Sequence, residues 1–340
     1  MIDSVLSALP AKTVRVLETP SHRAADGNSS RRDSVNDAGI YLSSQAALDA
    51  TTLSEKQRKK SQIKPEELAK RPHLGSRSWH WLAILIEVKL NIDNPPFYFS
   101  NKSSASQKPC AQSSSSANAT GTPEPGQKPF IRGSAKGEEA LGQFVEYMLN
   151  VFDNQHRTFS YAIYVWHRLA RLCFFDQGGA VISEAFDWTT PDSPLHDFMW
   201  KVANMEVEDL GYDPTATLAT DEEAKNFTDM AENSAVHEKI REFVKQATAP
   251  GQPIYKVEII PMAAPHDEGF PDDPFPPPSS PTFDPSSPAG APPEPAPPVA
   301  PKPRSFLIGK AHFSSHSLIG RCTRGYIAYD IEEQIGRAHV

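Results

Sequence analysis

Two short stretches of the chain place residues whose types and spacing can do chemistry. In Ile86-Glu87-Val88-Lys89 a carboxylate and an ammonium stand two positions apart. On a strand, that spacing puts both side chains on one face. Such a pair can hold a divalent cation and position a water for attack. The second stretch is Gly320-Arg321-Cys322-Thr323-Arg324-Gly325-Tyr326-Ile327. Glycines at 320 and 325 let backbone N–H groups approach phosphate oxygens where a β-carbon would obstruct them. Ile327 supplies the apolar residue that follows such a loop, and Cys322 occupies its middle position. Each stretch also has a plain reading, the first as a surface ion pair and the second as a hairpin turn with glycines.

The other reactive residue types form no such set. His73, His80, His156 and His167 are scattered, and His312 and His316 lie four apart in a stretch that reads as strand and turn. No Glu follows His312, as it would in a zinc-protease helix. Cys110, Cys173 and Cys322 are far apart and odd in number, without metal or disulfide spacing. No metal or thiol-nucleophile site is therefore expected, and an intracellular, reducing setting is, with cytoplasm and nucleus left open. The N-terminus lacks a basic start followed by an apolar stretch, and no run approaches the ~18 apolar residues of a membrane span, so no membrane partner is expected. The net charge of −8 excludes a protein that coats nucleic acid, which needs a basic face. One local basic run, residues 54–72, reads as a solvated helix or loop, or as a nuclear-import or nucleic-acid patch.

The elements that must position these residues follow from periodicity. Residues 78–90, rich in Trp, Leu, Ile and Val, predict a buried strand carrying Glu87 and Lys89. No Asp stands in a convincing strand upstream of it, and Glu66 and Glu67 lie in a stretch that reads as helix. Residues 137–155 predict an amphipathic helix, with Leu141, Phe144, Val145, Met148 and Phe152 on one stripe. Residues 159–167 predict a strand. Residues 168–188 predict a hairpin turning at Asp176-Gln177-Gly178-Gly179. A helix is expected from Ser193 to Gly211, with Ser193 as cap and Pro194 in the first turn. Another is expected over residues 220–247, opened by a Thr220–Glu223 capping box. Strands follow at 253–262 and after residue 304.

Two tracts interrupt this order. Residues 100–128 are rich in Ser, Thr and Pro, and residues 265–304 carry many of the 32 prolines. Neither buries enough apolar surface to offset its ordering entropy, so both read as disordered insertions. The second, with Lys302 and Arg304 beside spaced prolines, also suits an SH3-like or WW-like partner. Strands and helices without regular alternation give an α+β fold.

Taken together and in order, several fragments resemble the fungal-type protein kinase domain family. They are Ile-Glu-Val-Lys after a Trp-rich strand, residues 154–166, residues 168–188, Leu-Gly-Tyr-Asp-Pro-Thr at 210–215, and residues 320–330. The likeness spans roughly residues 79–334. It implies a parent protein that binds ATP and Mg²⁺ and transfers the γ-phosphate to Ser or Thr of a protein substrate. It also implies that Gly320, Cys322, Gly325 and Ile327 cover the nucleotide, although the family has Gly where Cys322 stands. Phosphoryl transfer further needs a lysine on the next strand, an Asp to orient the hydroxyl, and an Asp and Asn for Mg²⁺. No Val-Ala-x-Lys, His-Arg-Asp or Asp-Phe-Gly segment follows residue 325. The chain is therefore expected to be a truncated N-terminal fragment that lacks catalytic residues and binds no cofactor tightly.

The expected organisation is a poorly ordered region over 1–75, an α+β domain over 76–260 with the insertion at 100–128, and a Pro-rich linker over 261–304. The first β-hairpin of a kinase-like N-lobe then occupies 305–334. Residues 335–340 break the β pattern and read as a sequencing or assembly scar, leaving the lobe without its third strand. The 76–260 domain is expected to be a mixed sheet with flanking helices of restriction-endonuclease type, because those folds use a Glu-x-Lys strand followed by helix and strand. That leaves two alternatives to the kinase reading. One is a non-catalytic interaction module of nuclease-like fold; the other is a metal-dependent nuclease using Glu87 and Lys89.

Overall fold

The structure is a computed structural model. It describes residues 13–19, 37–60, 63–89, 95–98, 130–249, 251–260, 302–315, 317, 318, 320, 323–333 and 335–339. The Ser-rich insertion, nearly all of the Pro-rich tract and Cys322 lie outside these residues.

Two sheets and their helices give a mixed α+β architecture. The first sheet has the order β1 (Val14–Glu18), β2 (Ala38–Leu42), β3 (Leu82–Lys89), β4 (Phe159–Trp166), β5 (Leu169–Asp176), β6 (Gly179–Ile182), with β7 (Phe186–Asp187) also paired to β5. β1, β2 and β3 form an antiparallel meander, but β3 and β4 run parallel. A parallel pair needs a crossover, and α4 (Ala135–Asn154) lies in that connection. Among the described residues, three short helices precede β3: α1 (Gln45–Thr51), α2 (Glu55–Lys60) and α3 (Pro65–Lys70).

The sheet is buried on both faces. Phe144, Tyr147, Met148 and Val151 of α4 pack on Leu82, Leu85, Ala162, Tyr164 and Phe175. On the opposite face Met199 and Val202 of α5 (Pro194–Asn204) pack on Ile40, Ile84, Ile163 and Ala170. β3 therefore reads as a nearly continuous apolar run, as strands covered on both sides do. Arg157 ties the layers together. It donates to the carbonyls of Leu210 (2.8 Å) and Ala83 (3.0 Å), and its guanidinium lies 3.9 Å from the Tyr212 ring centroid.

The second sheet has the order β11 (Phe313–Ser314), β12 (Arg324–Asp330), β10 (Arg304–Ile308), β9 (Tyr255–Ile259), β8 (Ala216–Leu218), with β13 (Ile335–His339) on the free side of β12. α6 (Asp221–Asp229) and α7 (Glu238–Ala247) cover one face, burying Phe227 and Val244 against Leu307, Ile327 and Tyr329.

The structure corrects several expectations. The region before residue 75 supplies β1 and β2, which bury Val14, Val16, Ala38, Ile40 and Tyr41. The helix expected from 193 to 211 ends at Asn204, and a separate 3-10 turn, Glu208–Leu210, leads to Gly211. Gly211 has φ +94°, and a β-carbon there would lie 2.2 Å from the Phe159 carbonyl oxygen, so only glycine makes this turn. The helix expected over 220–247 is two helices. Asn233 accepts from the Ala235 N–H in the break, and His237 caps the second helix. Such local side-chain bonds compete with helix continuation. The Thr220–Glu223 capping box is present. Residues 335–339, expected to break the β pattern, pair along β12, because a backbone ladder needs no alternating side chains.

Candidate functional site

Glu87 and Lys89 lie on the face of β3 that meets α4, as their two-residue spacing requires. Glu87 is only 1% exposed. The Lys89 ammonium pairs with its Oε1. Lys89 aside, no donor among the described residues is shown on either Glu87 carboxylate oxygen. The pair is therefore not the surface ion pair of the plain sequence reading.

Asp37 completes this group. Ala38 of β2 stands opposite Ile86 of β3, so one step further along the antiparallel register Asp37 falls opposite Glu87. Directly opposed residues share a face. Asp37 Oδ2 accepts the Val88 N–H at 3.1 Å, which fixes the carboxylate at the end of β2. From α4, Gln143 Oε1 accepts from Lys89 Nζ at 3.3 Å, and Gln143 Nε2 donates to the Tyr147 hydroxyl at 2.7 Å. Gln143 and Tyr147 are four apart, on one helix face.

The electrostatics follow from burial. Desolvation pushes the Glu87 carboxyl up to about 7, with Asp37 adding repulsion, while Lys89 and Arg77 pull the other way. The Tyr164 hydroxyl is raised by burial, with Glu87 and Asp37 contributing. Arg77 is fully buried and donates to the Thr19 carbonyl at 3.1 Å. Among the described residues, no three His, Cys, Asp or Glu side chains cluster as metal ligands.

The glycine stretch lies elsewhere. Gly320 sits in the connection between β11 and β12 with φ +95°, and Gly325 lies within β12 opposite Phe313. The Gly320 N–H donates to the Gln177 carbonyl at 2.9 Å, so it reaches the β5–β6 turn of the first sheet. Ile327 is 6% exposed and packs in the core under α6 and α7. The two sequence-predicted sites are therefore separate, and the structure does not bring Glu87 and Lys89 to the glycine loop.

Where the sheets meet, Arg324 donates to the carbonyls of Phe152 (2.9 Å) and Gln155 (2.8 Å), and Ser314 Oγ lies 2.8 Å from Asp153 Oδ1. His156 stands between the Tyr255 and Tyr326 rings, at centroid distances of 4.6 and 5.4 Å. Burial holds its imidazole down to about 3, and the Arg324 charge adds to this. Cys173 is buried and its thiol is pushed up to about 12, which suits core packing rather than nucleophilic attack.

Sequence reasoning missed Asp37, Gln143 and Tyr147. Asp37 precedes a five-residue apolar strand inside a polar region, and its pairing with β3 is not visible locally. The Gln-x-x-x-Tyr spacing on a predicted helix was the available signal for the other two.

A family model described as fungal protein kinase matches residues 99–249. The match takes in α4 through α7 and β4 through β8, and it stops short of the glycine stretch. No curated protein and no solved structure matches the chain.

Proposed function

We propose, from the match of residues 99–249 to a family model described as fungal protein kinase, that this chain is the N-terminal part of a protein kinase whose whole form transfers the ATP γ-phosphate to protein Ser or Thr. The family match carries this reading. In it, the stretch carrying Gly320, Cys322 and Gly325 lies over the nucleotide in the whole protein, which supplies Mg²⁺-binding and catalytic residues elsewhere. The 340 residues of this chain do not catalyse the transfer, because they hold no phosphate-binding lysine, His-Arg-Asp or Asp-Phe-Gly segment after residue 325. A radiolabelled phosphotransfer assay on this chain, with a generic protein substrate and Mg-ATP, is expected to match the no-enzyme control. Turnover above it refutes the claim of silence. The Pro-rich tract, in this reading, recruits an SH3-like or WW-like partner, and a pull-down unaffected by deleting residues 265–304 removes that role.

A second reading attaches to the first sheet. A Glu-x-Lys strand followed by a crossover helix and a parallel strand supports a module of nuclease-like fold, either non-catalytic or cleaving phosphodiesters with a divalent metal. The acidic residue at 37, opposite Glu87, favours the metal-dependent form over the non-catalytic one. Mg²⁺- or Mn²⁺-dependent cleavage of plasmid or single-stranded DNA, lost in Glu87→Ala, is the expected result of the metal-dependent form. Absence of cleavage leaves the non-catalytic module.

A further inference from the structure

We propose that the free edge of β6, with the aromatic face beside it, docks an extended, basic segment of a partner protein whose alternate side chains are apolar. The inference is independent of both proposed activities.

Three observations carry it. First, β6 ends the first sheet, and among the described residues only β5 pairs with it. The Ser183 N–H donates to the Leu172 carbonyl. By antiparallel alternation Val181 then bonds to β5, while the N–H and C=O groups of Ala180 and Ile182 point to the free edge. Such an edge is a template for one more strand, and charges or prolines are what usually protect it. Gly179-Ala180-Val181-Ile182 carries neither. Second, Tyr161, Phe174 and Val181 stand opposite one another across β4, β5 and β6, so they share one face. Phe198 of α5 reaches Tyr161 at 5.6 Å between ring centroids, and Phe174 packs on Phe159 and Tyr161 at 5.2 and 5.8 Å. These rings are only partly buried, and Val181 is 70% exposed. Apolar side chains of an added strand meet Val181 and the rings behind it. Third, the rim is acidic. Residues 176–185 contain Asp176 and Glu184, one at each end of β6, and no Lys or Arg. Exposed Asp209 lies near Tyr161, whose hydroxyl is raised by burial and then by the Asp209 charge. Buried Arg171 offsets part of the Glu184 charge.

These carboxylates select the occupant. A second copy would pair antiparallel about a two-fold axis, bringing the Asp176 end of one β6 to the Glu184 end of the other. Like charges opposed across strands repel, and each chain carries a net charge of −8. The Pro-rich tract is no better suited. Residues 261–301 contain Asp and Glu but no Lys or Arg, and prolines cannot donate to a ladder. A segment with Lys or Arg between apolar residues matches the edge, the rings and the carboxylates together.

The test uses the full chain and a fluorescein-labelled peptide of about nine residues that alternates Lys with Val and Phe, read by fluorescence polarisation. Expected are saturable binding that weakens with salt, and at least about tenfold weaker binding when Glu replaces Lys in the peptide. Val181→Lys sets a like charge on the exposed edge, and Ala180→Pro removes an outward N–H without touching the β5 ladder. Each should weaken binding at least about tenfold. Leu218→Lys, on the exposed edge strand of the second sheet, keeps wild-type affinity. If Ala180→Pro does not fold, Val181→Lys decides. The Ala180 and Ile182 amides should also gain protection from hydrogen exchange in the complex, which charge attraction alone would not give. No saturable binding up to roughly 1 mM peptide, wild-type affinity in Val181→Lys, or unchanged exchange at both amides overturns the inference. A wild-type dimer in sedimentation velocity that Val181→Lys dissociates also overturns it, because a second copy would then cover the edge.

Discussion

His156 makes the seam between the two sheets sensitive to acid. Its ring packs edge-on against Tyr255 and is tilted against Tyr326, and Arg324 places a positive charge nearby. Asp213 offsets part of that charge. Because the folded state holds the imidazole at about 3, against 6.5 unperturbed, the native protein refuses a proton that the unfolded chain accepts. Stability from this group is complete above the unfolded value and is lost progressively as pH falls from there toward about 3. Between pH 7 and pH 5 the unfolded chain gains about 1.5 units of protonation advantage, which at ~1.4 kcal/mol per unit is a loss of about 2 kcal/mol. Partial solvent exposure of the residue lowers this toward about 1 kcal/mol. His156→Phe keeps an aromatic ring between the tyrosines and removes the titration. The assay is urea unfolding by far-UV circular dichroism at both pH values, for wild type and variant. Taking the difference between the two proteins' pH effects cancels the other titrating groups. The wild type should lose about 1–2 kcal/mol more than the variant on acidification. Equal pH effects, or an NMR titration of His156 with a midpoint near its unperturbed value, refute the reasoning.

Glu87 should act with the opposite sign. Its carboxyl is raised to about 7, so its cost is absent below the unfolded value near 4.5 and grows as pH rises through the native one. In chelated buffer at pH 8, Glu87→Gln should stabilise the fold by up to about 3 kcal/mol, read from urea unfolding; clear destabilisation would show that the Lys89 pair outweighs desolvation. Gly211→Ala should cost about 3 kcal/mol or more, because a β-carbon meets the Phe159 carbonyl at 2.2 Å in a left-handed conformation; a thermal shift within a degree of wild type would contradict this. Arg324→Gln removes two charged hydrogen bonds across the seam and should lower stability by about 2–3 kcal/mol, with faster proteolysis in the second sheet; an unchanged cleavage rate would show that the seam is held by other contacts.

What could be read from the sequence was what local pattern encodes. The run over residues 82–89 and the stripe of α4 announce themselves because burial is written in their periodicity. The Thr220 capping box and the Asp176–Gly179 turn were legible because their bonds join residues two or three apart. β1 and β2 were not. Each is five residues long, and Arg15 interrupts the apolar residues of β1. Their stability comes from partners far along the chain, Val14 with Leu42 and Ala38 with Ile86, which no local window contains. The same blindness hid Asp37. A site built across strands needs register, and register is a tertiary fact. Glu87 and Lys89, by contrast, share one strand and were found together.

The seam also bears on the glycine stretch. A phosphate-covering loop works because its backbone N–H groups are free to donate to anionic oxygens. In this fold the Gly320 N–H already donates to the Gln177 carbonyl, and Ile327 is enclosed by Phe227 and Val244 from the helices above β12. Nucleotide binding at this place therefore requires the connection around Gly320 to leave the β5–β6 turn, and it requires the apolar contact to come from a side chain other than Ile327. The first movement has a local readout. Amide hydrogen exchange should show the Gly320 N–H protected in the nucleotide-free chain, since its bond to Gln177 spans the two sheets. Added Mg-ATP should leave that protection unchanged if these residues alone bind no nucleotide. Loss of protection at Gly320 on adding Mg-ATP, or a new pattern of protection along residues 320–325, would show that the loop engages phosphate without the rest of a kinase and would overturn the reading of this chain as silent toward nucleotide.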